Sequence, residues 1–161
     1  MRKLIIILII SSLLFVACNR NSQLPPGVTE IPLVTGFHAS NDTFHFRDTT
    51  DIVYFNFTIW DADKDFGNEP SDSAIILQDF RSGELYQTFL LPLPTIPREV
   101  LKKNYLEARV TLPLKSVIFT PRADSLHIAT RKDTATFKLF VQDEGKHISE
   151  VVETGTFYIT E

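Results

Sequence analysis

IVYFNFTIW, residues 52–60, alternates apolar and polar side chains more regularly than any other stretch of this 161-residue chain. In a β-strand, successive side chains point to opposite faces of the sheet, so every second residue shares a face. The spacing therefore predicts a strand with one face in the core. We expect that inward face to carry Val53, Phe55, Phe57 and Ile59.

Two later stretches, residues 106–112 and 136–142, place apolar side chains at every second position in the same way. Each is therefore predicted to be a strand with one buried face. Asp143-Glu144-Gly145-Lys146 has the polar residues and the glycine that are typical of a turn. We expect this turn to lead the chain into a last strand that ends at residues 157–159.

Residues 74–80 and 85–91 are predicted to pair as a hairpin, because the turn residues Arg81-Ser82-Gly83-Glu84 lie between them. A helix is predicted only for residues 97–103, where Pro97 takes a first-turn position. Short strands separated by frequent turns are typical of sandwiches and barrels. We predict an all-β fold, a single antiparallel two-sheet β-sandwich of immunoglobulin-like type with about seven strands.

The amino-terminal residues have the pattern of an export signal. Arg2 and Lys3 precede an apolar run over residues 4–16, which only two serines interrupt, and Ala17 and Cys18 follow it. These thirteen residues span about 20 Å as a helix, which is less than the roughly 30 Å of a bilayer's hydrocarbon core. The pattern therefore predicts a signal peptide that ends at Ala17, and not a membrane span.

Phe15-Val16-Ala17-Cys18 is similar to the lipobox of bacterial lipoproteins, in which the cysteine is acylated and the chain is cut just before it. That family usually has leucine where this chain has Phe15. The resemblance implies a lipoprotein signal peptide over residues 1–17 and lipid attachment at Cys18. The alternative is ordinary cleavage near Ala17 that leaves an idle thiol. An unpaired cysteine in an exported protein needs an explanation, which acylation supplies.

The remaining chain is predicted to contain a tether and one domain. Residues 18–28 are polar and end in a Pro-Pro-Gly segment, which is typical of a solvated linker, and residues 29–161 have the length of a single β-sandwich domain. Removing residues 1–17 lowers the Lys and Arg count from 16 to 14 against 20 Asp and Glu, a net charge of −6. This charge argues against a nucleic-acid partner. The single cysteine excludes a disulfide within the chain.

An acidic segment directly follows the strand predicted at residues 52–60, with Asp61, Asp63 and Asp65 at alternate positions and Asp72 further on. Calcium binds six to eight oxygens at about 2.3 to 2.6 Å, and a short carboxylate-rich loop can supply several of them. The segment is not an EF-hand loop, because its glycine takes the seventh position and an aspartate the twelfth. We predict that these four aspartates form a calcium site.

The predicted fold brings a second acidic segment toward this loop. In an immunoglobulin-like sandwich with residues 52–60 as the second strand and 136–142 as the sixth, both strands run toward the same end. Asp143 and Glu144 are therefore expected to approach residues 61–65, where a cation or neighbouring lysines would offset the carboxylate repulsion. The alternative is a solvated acidic turn whose first aspartate accepts hydrogen bonds from the nearby backbone.

Three segments of the chain resemble small lipoproteins of Bacteroidota. They are residues 57–67 (FTIWDADKDFG), Ser71-Asp72-Ser73, and residues 137–146 (FKLFVQDEGK). Many of those proteins carry Asp-Gly-Asp-Gly-Asp-Leu-Gly in a β-sandwich domain. This chain has Ala62 and Lys64 at the two glycine positions, which implies a stiffer loop or a lower cation affinity. The resemblance implies an envelope lipoprotein and assigns no activity.

Surface-exposed lipoproteins of that group often carry acidic residues just after the cysteine, whereas residues 19–22 hold none. We therefore expect a lipid anchor in the outer membrane, on its periplasmic face. The four histidines lie apart and outside any short metal-binding motif, and no nucleophile elbow occurs.

These observations favour a non-enzymatic interaction or structural module over an enzyme. We predict that it contacts an unidentified envelope protein or a glycan, with calcium as the candidate cofactor. The alternative function is a carbohydrate-binding accessory lipoprotein, which would use outward-facing aromatic side chains at Tyr54, Trp60 and Tyr86.

Overall fold

The computed structural model describes residues 24–66, 74–93, 104–122 and 131–161. Within these ranges the chain forms eight β-strands and one short 3₁₀ helix, and no helix there has the length and apolar composition that crossing a membrane requires. In chain order they are β1 (Leu33–Ala39), β2 (Thr43–His45), β3 (Ile52–Asp61), β4 (Ala74–Arg81), β5 (Glu84–Pro92), β6 (Leu106–Lys115), the 3₁₀ helix (Ser116–Ile118), β7 (Asp133–Gln142) and β8 (Val152–Thr160).

Several sequence predictions lie outside the described residues. They are the signal peptide over residues 1–17, the acylated Cys18, the metal ligand Asp72 and the helix at residues 97–103. The predicted tether, residues 18–28, falls within the described part only from residue 24 onward.

The strands form two sheets, which confirms the predicted all-β sandwich. One sheet has three strands in the order β1-β3-β6, and the other has five in the order β2-β8-β7-β4-β5. One pair departs from the predicted antiparallel arrangement, since β2 runs parallel to β8 over three residues. The reason is that β2 continues the path of β1 after the chain crosses between the sheets, so it keeps the direction of β1.

The distribution of strands is of the immunoglobulin type. In that fold the first, second and fifth principal strands share one sheet, and the third, sixth and seventh share the other. β1, β3 and β6 take the first set of places, and β4, β7 and β8 take the second. The short β2 adds one to the count, so residues 52–60 lie in the third strand and 136–142 in the seventh. The prediction that these two strands run toward the same end of the sandwich is unchanged, because both come after β2 in the chain.

The core follows the predicted alternation. Side chains of β3 at every second position meet those of β7 and β8 between the two sheets. The four predicted core residues of β3, Val53, Phe55, Phe57 and Ile59, each expose 3% or less of their surface. Phenylalanine rings fill the centre, with contacting ring centroids 4.3 to 5.9 Å apart among Phe44, Phe55, Phe119, Phe137 and Phe157.

The same alternation continues past the apolar residues and carries charged side chains inward at the strand ends. On β4 the inward series reaches Asp79 and Arg81, and on β3 it reaches Asp61. On β7 it starts at Asp133, and its next position beyond the strand is Asp143. All five residues expose 6% or less of their surface. Buried charge therefore lies at both ends of the sandwich.

At one end, Arg81 neutralises two buried aspartates. Its Nε and Nη2 donate hydrogen bonds of 2.6 Å to the two carboxylate oxygens of Asp79, and its Nη1 donates one of 3.1 Å to Asp133 Oδ2. The guanidinium also lies 4.9 Å from the centre of the Tyr86 ring. We call these three charged residues the Arg81 network. Such bidentate, charge-assisted bonds are among the stronger hydrogen bonds in proteins.

The position of Arg81 corrects the sequence prediction, which placed it in the hairpin turn. Arg81 is the last residue of β4 and pairs with Glu84, the first residue of β5. Only Ser82 and Gly83 form the turn, and both have positive φ angles, 52° and 85°. Two such residues make the turn whose twist matches that of the flanking strands. The strand therefore extends one residue further than predicted.

Candidate metal site

A cluster of carboxylates closes the opposite end of the core. Asp61 is the last residue of β3, Asp65 lies in the loop after it, and Asp143 follows β7. One oxygen from each carboxylate lies within 4.8 Å of the others. Because β3 and β7 belong to different sheets, the three side chains meet across the sandwich. We call them the Asp61 cluster.

The loop after β3 is held by local and tertiary contacts. The N–H of Asp65 donates to Asp61 Oδ2 at 3.2 Å, which closes the loop on itself. Phe66 is buried in the core and anchors the next position. Lys64 has a φ angle of 62°, in the left-handed region that glycine adopts without strain. Lys64 therefore holds a conformation that glycine would adopt with less strain.

The turn after β7 binds this loop directly. The N–H of Glu144 donates to the backbone oxygen of Asp65 at 3.1 Å, and the N–H of Gly145 donates to Asp65 Oδ2 at 2.8 Å. A Cβ atom at Gly145 would lie 2.9 Å from that carboxylate oxygen, so any other residue would displace it. The predicted approach of residues 143–144 to the acidic loop is therefore confirmed.

His147 contacts the cluster, although the sequence analysis did not identify it. Its N–H donates to Asp143 Oδ1 at 2.7 Å, and its Nδ1 lies 3.0 Å from Asp143 Oδ2. The hydrogen bond and the charge of Asp143 raise the pKa of His147 above its ordinary value. The signal in the sequence is its position four residues after Asp143 in one turn.

Burial makes the negative charge of the cluster costly. Asp61 and Asp143 are fully buried, and Asp61 Oδ1 and Asp65 Oδ1 are buried without a hydrogen-bond partner among the described residues. Burial and the neighbouring carboxyl of Asp63 raise the pKa of Asp61 to about 8. Burial and the charges of Asp143 and Asp63 also raise the pKa of Asp65, although the Gly145 N–H opposes this effect.

The donor set fits a hard divalent cation. Two oxygens bound to one calcium at about 2.4 Å can be at most about 4.8 Å apart, which agrees with the spacing within the Asp61 cluster. Three carboxylates are typical calcium ligands, and water or backbone oxygens usually complete the shell. The two unpartnered oxygens are the groups that a bound cation would satisfy.

A second, more exposed set of donors consists of Asp63, Asp65 and His147, whose ligand atoms also lie within 4.8 Å of one another. An imidazole beside carboxylates suits zinc or a similar transition metal better than calcium. Both sets contain Asp65, so they compete for one carboxylate. Only the Asp61 cluster contains fully buried acids, and burial is what makes the need for a cation strong.

The predicted metal ligands do not all lie in the cluster. It brings Asp61, Asp65 and Asp143 together, and it places Asp63 on the exposed rim beside them. Glu144 takes part through its backbone N–H. The alternative of a solvated turn is half right, since Asp61 does accept a local backbone hydrogen bond but is fully buried.

The aromatic residues considered for glycan binding do not form one platform. Tyr54 and Trp60 lie six residues apart on β3, which is about 20 Å along a strand, and Tyr86 lies on β5 in the other sheet. Trp60 is half-buried, donates to Thr35 Oγ1 at 3.0 Å and packs against Tyr105. The three aromatic rings therefore lie on separate parts of the surface.

No protein-family model, no curated protein and no solved structure matches this chain. The resemblance to lipoproteins of Bacteroidota accordingly stays a prediction.

Proposed function

We propose that this chain is a lipid-anchored envelope protein whose β-sandwich is a non-enzymatic interaction or structural module stabilised by calcium. The observation that supports it most strongly is Asp61 Oδ1, a fully buried carboxylate oxygen with no hydrogen-bond partner among the described residues. A carboxylate that ionises in the core, with no donor or cation beside this oxygen, is strongly destabilising, whereas a coordinated one is not. A divalent cation bound by the Asp61 cluster removes that cost.

The position of the cluster suggests what the cation does. Asp61 ends a strand of the three-stranded sheet, and Asp143 follows a strand of the five-stranded sheet. An ion bound by both joins the two sheets at one end of the sandwich. It also fixes the loop after β3 to the turn after β7. Loops on a rigid sandwich are where this architecture commonly places binding functions, so the ordered end is our proposed contact surface.

Calcium is expected to raise the melting temperature of the purified protein by several degrees. At a concentration about one hundred times its dissociation constant, a ligand adds about 2.7 kcal/mol to the free energy of unfolding. For a site with a dissociation constant of about 10⁻⁴ M, 10 mM calcium reaches that level. Thermal unfolding is followed by circular dichroism in calcium, in magnesium, in zinc and with a chelator.

The matched variants are Asp65→Asn within the cluster and Asp42→Asn on an exposed loop outside it. Asp65→Asn is expected to abolish most of the calcium effect, and Asp42→Asn is expected to keep it. An unchanged melting temperature in calcium would refute the cation site. Stabilisation by zinc alone would indicate that the metal site consists of Asp63, Asp65 and His147 instead.

Lipid attachment is expected at Cys18. Cells that express the chain and are fed radioactive palmitate should incorporate label into it, and Cys18→Ser should lose the label and leave the membrane fraction. The reason is that acyl chains supply the membrane affinity at about 0.8 kcal/mol per buried CH₂ group. Equal labelling of both proteins, or a soluble unlabelled wild type, would contradict the anchor.

A further inference from the structure

A second concave site lies at the opposite end of the sandwich from the Asp61 cluster. It is a pocket of about 290 Å³ lined by Phe46, Arg47, Thr120, Pro121 and Arg131. β7 separates the two ends by ten residues, from Asp133 to Asp143, which is about 33 Å along a strand. This pocket combines two guanidinium groups with an apolar wall, so its chemistry differs from that of the acidic end.

The two arginines of the pocket already hold a carboxylate. Arg47 Nη1 lies 2.9 Å and Arg131 Nη1 lies 2.5 Å from the same oxygen, Glu161 Oε1. All three side chains are well exposed, with 60%, 53% and 39% of their surfaces accessible. Paired guanidiniums recognise carboxylates by charge and by the direction of their N–H groups. The pocket therefore displays a carboxylate-binding geometry at a solvent-accessible position.

The wall of the pocket is fixed from below by the Arg81 network. Arg81 Nη1 lies 3.4 Å from the backbone oxygen of Thr120, and Asp133 Oδ2 accepts the backbone N–H of Arg122 at 3.1 Å. These bonds hold the segment on either side of Pro121 against buried charge. A pocket supported in this way loses little freedom when a ligand binds.

The backbone of Arg131 is held in an uncommon conformation. Its φ angle is 50°, in the left-handed region that side chains other than glycine, asparagine and aspartate seldom adopt. Such conformations cost energy and cluster at binding sites, where surrounding structure maintains them. Here the strained residue is one of the two that contact the Glu161 carboxylate.

We propose that the pocket between Arg47 and Arg131 binds an external carboxylate from an acidic side chain of a partner peptide, and that Glu161 is its resident competitor. A glutamate side chain is the group already seen between the arginines. Phe46 and Pro121 provide apolar surface for the methylene groups of such a side chain. The proposal is independent of the cation site.

Competition by Glu161 has a measurable consequence. The apparent affinity of an external ligand falls in proportion to the fraction of sites that remain open. Removing the competing charge while keeping the shape of residue 161, as in Glu161→Gln, should therefore strengthen binding. Exposed ion pairs are individually weak, so we expect the dissociation constant to fall about five- to ten-fold, from the millimolar range.

The experiment uses the full-length protein in detergent micelles, labelled with ¹⁵N, and follows the amide signals of Thr120 and its neighbours. The probe is acetyl-glutamate-amide, and its neutral analogue acetyl-glutamine-amide is the control. Wild type should bind the acidic probe weakly, Glu161→Gln should bind it five- to ten-fold more tightly, and neither should bind the neutral analogue.

Two variants in the Glu161→Gln background identify the arginines. Arg47→Gln and Arg131→Gly should each weaken binding at least five-fold. Glycine at position 131 also relieves the left-handed backbone, so loss of folding is not an expected cause. Arg109→Gln, at an exposed position on β6, should leave binding unchanged.

Three results would overturn the proposal. They are an equal affinity of wild type and Glu161→Gln for the acidic probe, equal effects of Arg109→Gln and Arg47→Gln, and glucuronate binding more than ten-fold tighter than acetyl-glutamate-amide. The last result would assign the pocket to an acidic sugar.

Discussion

Replacing Arg81 by leucine is expected to lower the free energy of unfolding by about 3 to 5 kcal/mol, the usual cost of breaking a buried ion pair from one side. Arg81 and its two partners are almost completely buried. Without the guanidinium, Asp79 loses both of its 2.6 Å hydrogen bonds inside the core. Urea unfolding at neutral pH, analysed by linear extrapolation, measures the loss.

A double variant distinguishes the ion pair from simple loss of packing. Asp79→Leu combined with Arg81→Leu removes both charges, while Asp133 keeps hydrogen bonds from the backbone of Arg122 and Thr134. We expect the double variant to recover most of the stability, because a buried ion pair can often be replaced by apolar residues of similar size. Arg109→Leu, on the exposed face of β6, is the surface control and should change stability by less than about 0.5 kcal/mol. A double variant as unstable as the single one would show that Arg81 acts through its packing.

Replacing Asp61 by asparagine is expected to stabilise the calcium-free protein and to destabilise the calcium-loaded protein relative to wild type. Asparagine has nearly the shape of aspartate but no charge to bury. Without calcium, the charged Asp61 carboxylate at pH 8 costs the native state on the order of 2 kcal/mol or more, which the variant avoids. With calcium, the variant lacks a charged ligand and loses the stabilisation that the ion provides.

The effect in the calcium-free protein depends on pH in a defined direction. The pKa of Asp61 rises from the ordinary 3.8 to about 8 in the folded chain, so the native state holds its proton over a range in which the unfolded state has released it. The resulting stability is complete below about pH 4 and is lost as the pH rises toward 8. Wild type in chelator should therefore lose stability across this window, and Asp61→Asn should lose much less.

Urea unfolding at pH 5, 6, 7 and 8 measures the stability of wild type and of Asp61→Asn, each with chelator and with 10 mM calcium. Asp42→Asn is the control, since it removes an exposed carboxylate outside the cluster. The cation site predicts that the sign of the Asp61→Asn effect reverses on addition of calcium. If Asp61→Asn were destabilising in chelator at pH 8 and insensitive to calcium, Asp61 would be a structural hydrogen-bond acceptor instead.

The strands were predictable because their signal is local. Alternation with a period of two in β3, β6 and β7 reflects the pleat itself, and the Ser82-Gly83 turn reflects residues that accept positive φ. No strand was predicted at the positions of β1 and β2. A register shift between Thr35 and His38 breaks the period of β1, and the three residues of β2 are too few to show one. Its parallel pairing with β8 joins segments more than one hundred residues apart.

The position of the acidic loop was predictable for a similar reason, since carboxylates at alternate positions directly after β3 are visible in the sequence itself. The approach of Asp143 was predictable once the fold type was assumed. His147 was missed because its partner is an aspartate in the same turn. Arg81 was missed because a charged residue just before Ser82-Gly83 suggests an exposed turn. The sequence around His147 and around Arg81 is as polar as that of an ordinary surface turn.

The periodicity of single strands is sufficient to derive an all-β fold and to place Val53, Phe55, Phe57 and Ile59 on an inward face, because it reflects the pleat of one strand alone. It does not reveal how the buried charges are compensated. Arg81 lies 52 residues from Asp133, and their contact requires β4 and β7 to pair in one register. The Asp61 cluster forms only when β3 and β7 meet from different sheets. Compensation of charge depends on such distances through space, which is why Arg81 neutralises aspartates at one end of the core while three carboxylates meet at the other.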